Sequence, residues 1–357
     1  MTLIQKGQIL MGILSYAGGL GIIVLSVFIM VVGRDLIVPF LISVVIWYLI
    51  NTLADYYHKI KIGSFVLPKP VCFVIALLSM GVALYLLVDM IANNITHVRE
   101  AAPIYQENLT ALASRIYALL GIENQPNLTQ LLGQINLRPF ISNIAGTMAG
   151  IAGNAGLILI YVLFLFLEQA SFKPKLKELL KGSKYENTVG EIISAVHEKI
   201  ETYVAIKTFV SMLTGGACYV VLILNDVDYA SFWAFIIFLL NYIPTVGSML
   251  AVLFPALLSL VQFPTFTPFI IIFSSLGIIQ VVIGNILEPR LMGNSLNLSP
   301  LVVMLSLAIW GSIWGIAGMF LSVPFTVILM IIFSEFPRTR PIAIVLSQNG
   351  QIGSRNN

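Results

Sequence analysis

Residues 232–262 decide the fold: FWAFIIFLLNYIPTVGSMLAVLFPALLSLVQ. The stretch has no charged side chain, and as one helix rising about 1.5 Å per residue it would exceed the ~30 Å hydrocarbon core of a bilayer. Pro244, Gly247 and Pro255 interrupt it; proline removes a helical hydrogen bond and glycine relaxes the backbone. The stretch predicts either a steeply tilted helix or one that is broken or re-entrant at membrane depth.

A second stretch, 300–333, has the same property. A continuous helix over it would reach roughly 50 Å, and it contains Gly311, Gly315, Gly318 and Pro324. Gly311 and Gly315 form a GxxxG pair, a spacing that lets helices approach closely. The same alternatives, tilt or a break, apply here.

The whole chain has the composition of a membrane protein. Of its 357 residues, 58% are hydrophobic and only 10% are charged, against roughly 25% charged in soluble domains. We predict an all-α, polytopic membrane protein with about eight transmembrane helices. The candidate spans are 9–33, 36–50, 70–92, 146–167, 208–225, 232–262, 269–287 and 300–333.

The basic residues predict an orientation, because Lys and Arg favour cytoplasmic loops. With the N-terminus inside and eight crossings, every lysine of the chain falls inside. The basic residues that remain on the outside are Arg34, Arg99, Arg115, Arg138 and Arg290. The expected location is therefore the cell (inner) membrane with both termini cytoplasmic.

The span pattern divides the chain into segments. The expected segments are three N-terminal transmembrane helices (1–92), an extracytoplasmic helical insertion (93–145), a transmembrane helix (146–167), a cytoplasmic amphipathic insertion (168–207), a C-terminal transmembrane core (208–333) and a cytoplasmic tail (334–357). Apolar residues between 95 and 119 recur every three or four positions, which is typical of a helical seam. That seam packs either on its own chain or on another subunit.

No enzyme or cofactor motif is present. The sequence lacks H-E-x-x-H, G-x-S-x-G, P-loop and dinucleotide signatures, and its histidines and cysteines have no metal-ligand spacing. We expect no enzymatic activity, no metal and no cofactor. Any transport would be passive or driven by gradients.

Two motifs of Asn, Pro and Gly lie in apolar surroundings and predict the solute pathway. Interrupted helices free backbone groups that lipid cannot satisfy, so such groups face a cavity or other protein. The predicted pathway residues are Asn241, Pro244, Gly247, Asn285, Glu288, Pro289 and Gly293. Gln280 and Pro300 are assigned to it secondarily.

Glu288 and Arg290 are charges close to predicted spans. A charge at the centre of a bilayer costs about 2.5–3.5 kcal/mol on insertion scales, so both belong in a cavity, in a mutual pair or at the interface. The two alternatives are an interfacial turn and a functional ion pair that gates or binds.

These motifs resemble the autoinducer-2 exporter family of bacterial permease-like membrane proteins. The resemblance rests on Leu240-Asn-Tyr-Ile-Pro-Thr-Val-Gly247, Asn285-Ile-Leu-Glu-Pro-Arg-Leu-Met-Gly293, Leu298-Ser-Pro-Leu-Val-Val303 and Trp314-Gly-Ile-Ala-Gly-Met-Phe-Leu-Ser-Val-Pro324. Many members have proline where this chain has Ser248 and histidine where it has Ser299. The resemblance implies about eight membrane helices, self-association and movement of small solutes.

Three functions remain at this point. The first is a transporter that exports a small polar solute such as the quorum-sensing molecule autoinducer-2. The second is a sodium or lithium/proton antiporter, and the third is a membrane scaffold that transports nothing. The expected partners are the solute or ion, membrane lipid and further copies of the chain, with no nucleic acid.

Overall fold

The computed structural model describes residues 3–62, 65–83, 137–183, 186–293 and 296–352, together with Tyr85, Asp89 and Asn108. Most of the predicted insertion 93–145, including its helical seam, lies outside the described residues. The structure is all-helical apart from a two-residue antiparallel hairpin, in which β1 (Lys61–Ile62) pairs with β2 (Phe65–Val66).

The helices follow the predicted apolar segments closely. They are α1 (Leu3–Val32), α2 (Arg34–Lys59), α3 (Lys69–Ala83), α4 (Leu137–Leu180), α5 (Glu186–Leu224), α6 (Ala230–Leu240), α7 (Val246–Gln262), α8 (Thr267–Gln280), a π-helix (Val281–Leu287), α9 (Glu288–Met292), α10 (Pro300–Glu335) and α11 (Arg340–Leu346). The predicted boundaries at 167 and 207 fall inside α4 and α5, so the polar segment 168–207 is an extension of these two helices.

The exposed surface is apolar. Leu20, Phe28, Leu163, Phe164 and Ile309 each expose more than half of their area, which suits a surface facing acyl chains. Within the part of the chain that the structure describes, five helices are long and apolar enough to cross a membrane: Arg34–Lys59, Gly153–Leu180, Glu186–Leu224, Thr267–Met292 and Pro300–Glu335. The chain is a polytopic membrane protein, as predicted.

The N-terminal helices pack around a small apolar core. Ile50 of α2, Ala76 of α3, and Ile158 and Val162 of α4 are buried together. Each of these helices presents one apolar stripe to the others and leaves the remaining face exposed. This group lies beside the N-terminal half of α5, since the Tyr48 hydroxyl is 3.2 Å from His197 Nδ1.

α6 and α7 form a helical hairpin, hairpin 1, that enters and leaves at the same end of α5. Its two ends meet because the Gln262 amide donates to the Asp226 carbonyl at 2.7 Å and accepts from the Asp228 N–H at 2.9 Å. Trp233 and Phe254, on opposite arms, lie 6.3 Å apart. At 11 residues, α6 is about 16 Å long and too short to cross the core. The predicted segment 232–262 is therefore broken and re-entrant.

α10 is a second hairpin, hairpin 2, folded at Gly315. This residue has φ 63° and ψ −138°, a conformation open essentially only to glycine. The Trp310 and Phe325 rings lie 4.8 Å apart, whereas a straight helix would separate residues fifteen positions apart by roughly 22 Å. The predicted segment 300–333 therefore turns back as well.

The two hairpins enter from opposite ends of α5. Hairpin 1 starts and ends beside the turn that follows Leu224. Hairpin 2 starts and ends at the other end, where Val327 and Met330 pack with Ile200 and Val204. At that end, the Ser299 N–H also donates to the Leu346 carbonyl at 3.0 Å, which ties the start of α10 to α11.

Because hairpin 1 does not change sides, one part of the predicted topology is wrong. Eight crossings place Arg290 at the end opposite the lysine-rich segment. In the structure, Met292, two residues later, packs with Ile200 and Tyr203 in the N-terminal half of α5. Arg290 therefore lies at the same end of the protein as the lysine-rich segment. With Arg290 moved to that end, more of the basic residues lie on one side than the eight-crossing topology predicted.

Candidate functional site

The tip of hairpin 1 is a polar turn held against α5. Its Asn241 is 2% exposed and donates from Nδ2 to the buried Ser211 hydroxyl at 3.1 Å. The Tyr242 and Thr208 hydroxyls lie 2.7 Å apart. Ser211 and Thr208 precede Leu224 by 13 to 16 residues, about 20 Å or more along α5. The tip therefore lies deep between the two ends of the protein.

Thr245 gives this tip a strained backbone. Its φ of 53° and ψ of −57° close a three-residue turn, in which the Val246 N–H donates to the Pro244 carbonyl at 2.6 Å. This γ-turn is rare, and a positive φ is a genuine outlier for a β-branched residue. Strain of this kind costs of order 1–3 kcal/mol and collects at sites of ligand binding or switching.

Both hairpins return by packing a glycine directly onto a carbonyl of the first arm. A Cβ on Gly247 would lie 1.8 Å from the Leu240 oxygen, and a Cβ on Gly318 would lie 1.9 Å from the Trp310 oxygen. No side chain fits at either position. The two sites have the same construction although they lie in separate hairpins.

The tips of the two hairpins meet. The Tyr242 and Phe320 rings stack with their centroids 4.4 Å apart, and the Thr245 hydroxyl lies 3.4 Å from the Met304 sulfur. Near the turn of hairpin 2, Trp314 donates from Nε1 to the Met30 carbonyl of α1 at 3.0 Å. Segments entering from opposite ends therefore touch within the apolar part of the protein.

Gln280 carries the least satisfied polar group described in this region. It is 7% exposed, and both its Nε2 and Oε1 are buried with no hydrogen-bond partner. Each unpaired buried group costs about 1–3 kcal/mol. Buried polar groups in folded proteins are nearly always hydrogen-bonded, so an unpaired amide of this kind needs a functional or structural reason.

Directly after Gln280, the helix widens into the π-helix Val281–Leu287. The Glu288 N–H donates to the Ile283 carbonyl, five residues back. Pro289 has no N–H and so cannot donate to the carbonyls of the preceding turn. The predicted break at Pro289 is therefore a widened helix, and the second true interruption lies at Gly315.

Glu288 forms a buried ion pair with Lys207 of α5. Lys207 is 5% exposed, and buried charges of this kind require a partner. The partner expected from the sequence, Arg290, is exposed and forms no ion pair among the residues that the structure describes. The pair links α5 to the end of the π-helix.

The structure divides the predicted site residues into two sets. Asn241, Pro244 and Gly247 form the tip of hairpin 1. Gln280 and Glu288 lie on the continuous helical segment 267–292, on the side that packs against α5. The residues placed on exposed surface are Asn285, Pro289, Gly293 and Pro300. Gly293 follows the last residue of α9 and has a φ of 50°, and Pro300 is the first residue of hairpin 2. Each of these two residues therefore marks the end or the start of a helix.

Sequence reasoning missed several site residues. Lys207 was counted with the polar insertion, although it stands in the apolar run Val204-Ala-Ile-Lys-Thr-Phe-Val210. A lone charge in such a run indicates an intramembrane site, and that signal was available. No signal in the sequence pairs Tyr242 with Phe320 or Asn241 with Ser211, because those contacts depend on the two hairpins folding back.

The chain is similar in sequence to known transport proteins. The model of the "AI-2E family transporter" family matches residues 20–338. The "AI-2 transport protein TqsA" of Escherichia coli (strain K12) is 28% identical over 319 residues, covering 88% of this chain and 90% of the relative. A "Putative transport protein" of Haemophilus influenzae is 30% identical over 324 residues, with the same coverage. "Putative transport protein YhhT" of E. coli K12 is 28% identical over 321 residues, 88% of each chain.

Proposed function

The chain belongs to the AI-2E family of transporters, and from that premise we propose that it exports a small, uncharged polar solute of the autoinducer-2 type. The solute would pass where the tips of hairpins 1 and 2 meet. It would lie among the Asn241 tip, the Gln280 amide and the widened backbone of the π-helix. The export would be passive or driven by a gradient.

The observation that carries this proposal is the buried, unpartnered amide of Gln280. Leu276 shares a core with Cys218 and Leu222 of α5, and Glu288 pairs with Lys207. Gln280 therefore lies between these two levels, as does Ser211, which holds the tip of hairpin 1. An amide offers both donors and an acceptor, which matches the hydroxyl groups of a polyol. A solute that supplied these partners would recover part of the cost of burying the amide. A relative named for AI-2 transport, TqsA, supports the choice of solute class.

The cation/proton antiporter is the alternative. Such a mechanism needs a buried carboxylate that takes up and releases protons. Glu288 is the carboxylate available in the C-terminal core, but it is already engaged in an ion pair with Lys207 of α5. No group of three metal-ligating side chains occurs among the described residues.

We further propose that both termini face the cytoplasm of a cell (inner) membrane and that the chain forms a homo-oligomer. The lysine-rich ends of α4 and α5, together with Arg290, Arg338 and Arg340, then share the cytoplasmic side.

The test is solute efflux from proteoliposomes, with wild type beside Gln280→Leu. We expect wild type to release an autoinducer-2-type polyol and Gln280→Leu to release it about tenfold more slowly, because one or two hydrogen bonds to the solute are lost. Gln348→Leu, an exposed change outside both hairpins, is the control and should match wild type. Equal efflux by all three proteins would refute the place of Gln280 in the solute pathway. A sodium-dependent pH change in proteoliposomes with the wild-type protein would favour the antiporter.

A further inference from the structure

A polar cleft lies between α2, α3 and α4, on the helices that precede α5. Its volume is about 420 Å³, and its polar lining consists of Asn51, Asp55, Lys69 and Gln169, next to Pro70 and Phe73. None of these residues belongs to the hairpins or the proposed pathway. The cleft therefore needs an explanation of its own.

The cleft lies where the helices that form it pass from apolar to charged sequence. α2 ends shortly after Asp55, and α3 begins at Lys69. α4 becomes charged from Glu168 onward, one residue before Gln169. The three helices change from apolar to charged sequence at the same level. That level marks the boundary between the acyl chains and the headgroups.

The hydrogen bonds around the cleft leave donors and acceptors free. Trp47 donates from Nε1 to Gln169 Oε1 at 3.0 Å, so the Gln169 NH₂ remains as a donor. Asn51 donates from Nδ2 to the Trp47 carbonyl at 2.8 Å, so its side-chain oxygen remains as an acceptor. Among the described residues, neither Lys69 nor Asp55 forms an ion pair.

We propose that this cleft binds the headgroup of a phospholipid carrying a primary ammonium and a phosphate, that is, phosphatidylethanolamine. The phosphate accepts hydrogen bonds from Lys69 and Gln169, and the positive N-terminal end of α3 strengthens this contact. The ammonium donates to Asp55 and Asn51. The lining thus offers one cation and one anion to a headgroup that carries one of each.

The surroundings indicate a lipid rather than a free phosphoethanolamine. Val74 and Leu78 of α3 and Leu163 and Leu167 of α4 expose between 52% and 65% of their area. These side chains lie on the apolar stretches that lead away from the cleft along both helices. Acyl chains would lie along them, which supplies apolar contact that a soluble headgroup lacks.

The wild-type protein in nanodiscs, analysed by native mass spectrometry, tests the selectivity directly. We expect phosphatidylethanolamine to be retained about tenfold more than phosphatidylcholine, whose choline cannot donate a hydrogen bond. Phosphatidylglycerol should also be retained less, since its glycerol carries no positive charge to pair with Asp55. Equal retention of all three lipids would overturn the proposal.

Two variants separate the two halves of the site. Lys69→Gln should lower retention of every phospholipid by about tenfold. Asp55→Asn should remove the preference for ethanolamine over glycerol headgroups while phosphate binding persists. Lys175→Gln, a lysine of α4 outside the cleft that pairs with Glu168, is the matched control and should behave as wild type.

Soluble glycerophosphoethanolamine distinguishes the lipid from the free headgroup. We expect it not to displace the lipid at concentrations about a hundred times that of the protein, because it lacks the apolar contacts. Displacement by the soluble compound would show that the cleft takes the free headgroup and would overturn the assignment to a lipid. Unchanged lipid retention by both variants would show that no headgroup site exists here. Neither outcome bears on solute export through the hairpins.

Discussion

Gln280 is the residue at which stability and function are expected to oppose each other. Its amide is buried without a partner, so the folded protein bears a cost that an apolar side chain would remove. We predict that Gln280→Leu raises the thermal midpoint of the detergent-solubilised protein while it slows export. Differential scanning fluorimetry together with the efflux assay measures both. A lower midpoint would mean that Gln280 has partners that stabilise the fold.

The Lys207–Glu288 pair makes a second prediction for single residues. Removing one partner leaves an uncompensated buried charge, which costs about 3–5 kcal/mol, whereas removing both costs far less. We predict that Lys207→Met and Glu288→Gln each destabilise the protein strongly and that the double variant recovers most of the loss. A double-mutant cycle on unfolding free energies measures the coupling. Additive effects would show that the two charges do not interact.

At the scale of elements, each hairpin can reverse direction only because a glycine stands at or beside its turn. Gly315 has a φ of 63° and a ψ of −138°, and Gly247 has no room for a Cβ. We predict that Gly315→Ala and Gly247→Ala both lower the yield of folded protein, by opening hairpin 2 and hairpin 1 respectively. Gly277→Ala, on α8 with nothing within 4 Å of its Cβ position, is the control. Normal yield from both hairpin variants would contradict the described turns.

The contact between hairpins can be tested by cross-linking. Cysteines at Tyr242 and Phe320 replace stacked rings whose centroids are 4.4 Å apart. We predict that a short, reducible bifunctional thiol reagent joins them, that export stops because the tips can no longer separate, and that a reductant restores it. Cysteines at Trp233 and Phe325, on the outer parts of different hairpins, serve as the comparison pair. Cross-linking of the comparison pair alone would contradict the meeting of the tips.

The sequence predicted much of this at the level of elements. Apolar length and the positions of Pro244 and Gly247 were enough to expect that 232–262 is either a steeply tilted helix or a broken one. The sequence could not tell tilt from reversal, because that choice depends on contacts between distant residues, such as Gln262 with the 226–228 turn. The same two alternatives, tilt or a break, were open for 300–333, and the reversal falls at Gly315, where φ is positive. A further interruption was expected near Pro289, where the structure has a widened helix instead.

At the scale of the whole molecule, two hairpins enter from opposite ends of α5 and touch between them. Hairpin 1 is anchored to α5 through Ser211 and Thr208, and hairpin 2 packs on the N-terminal half of the same helix. Separation of the tips would open a path at the level of Gln280. Transport would then depend on relative motion of two preformed elements along one fixed helix.

The most direct test maps which face of the membrane each hairpin base occupies. In a protein with Cys72 and Cys218 replaced by alanine, single cysteines at Asp228, Thr265, Asn297 and Thr339 are labelled in intact cells with a membrane-impermeant maleimide. The account predicts that Asp228 and Thr265 both react from the outside, whereas Asn297 and Thr339 react only after the membrane is permeabilised. Reaction of Asp228 and Thr265 from opposite faces would show that 232–262 crosses the membrane and would contradict the account.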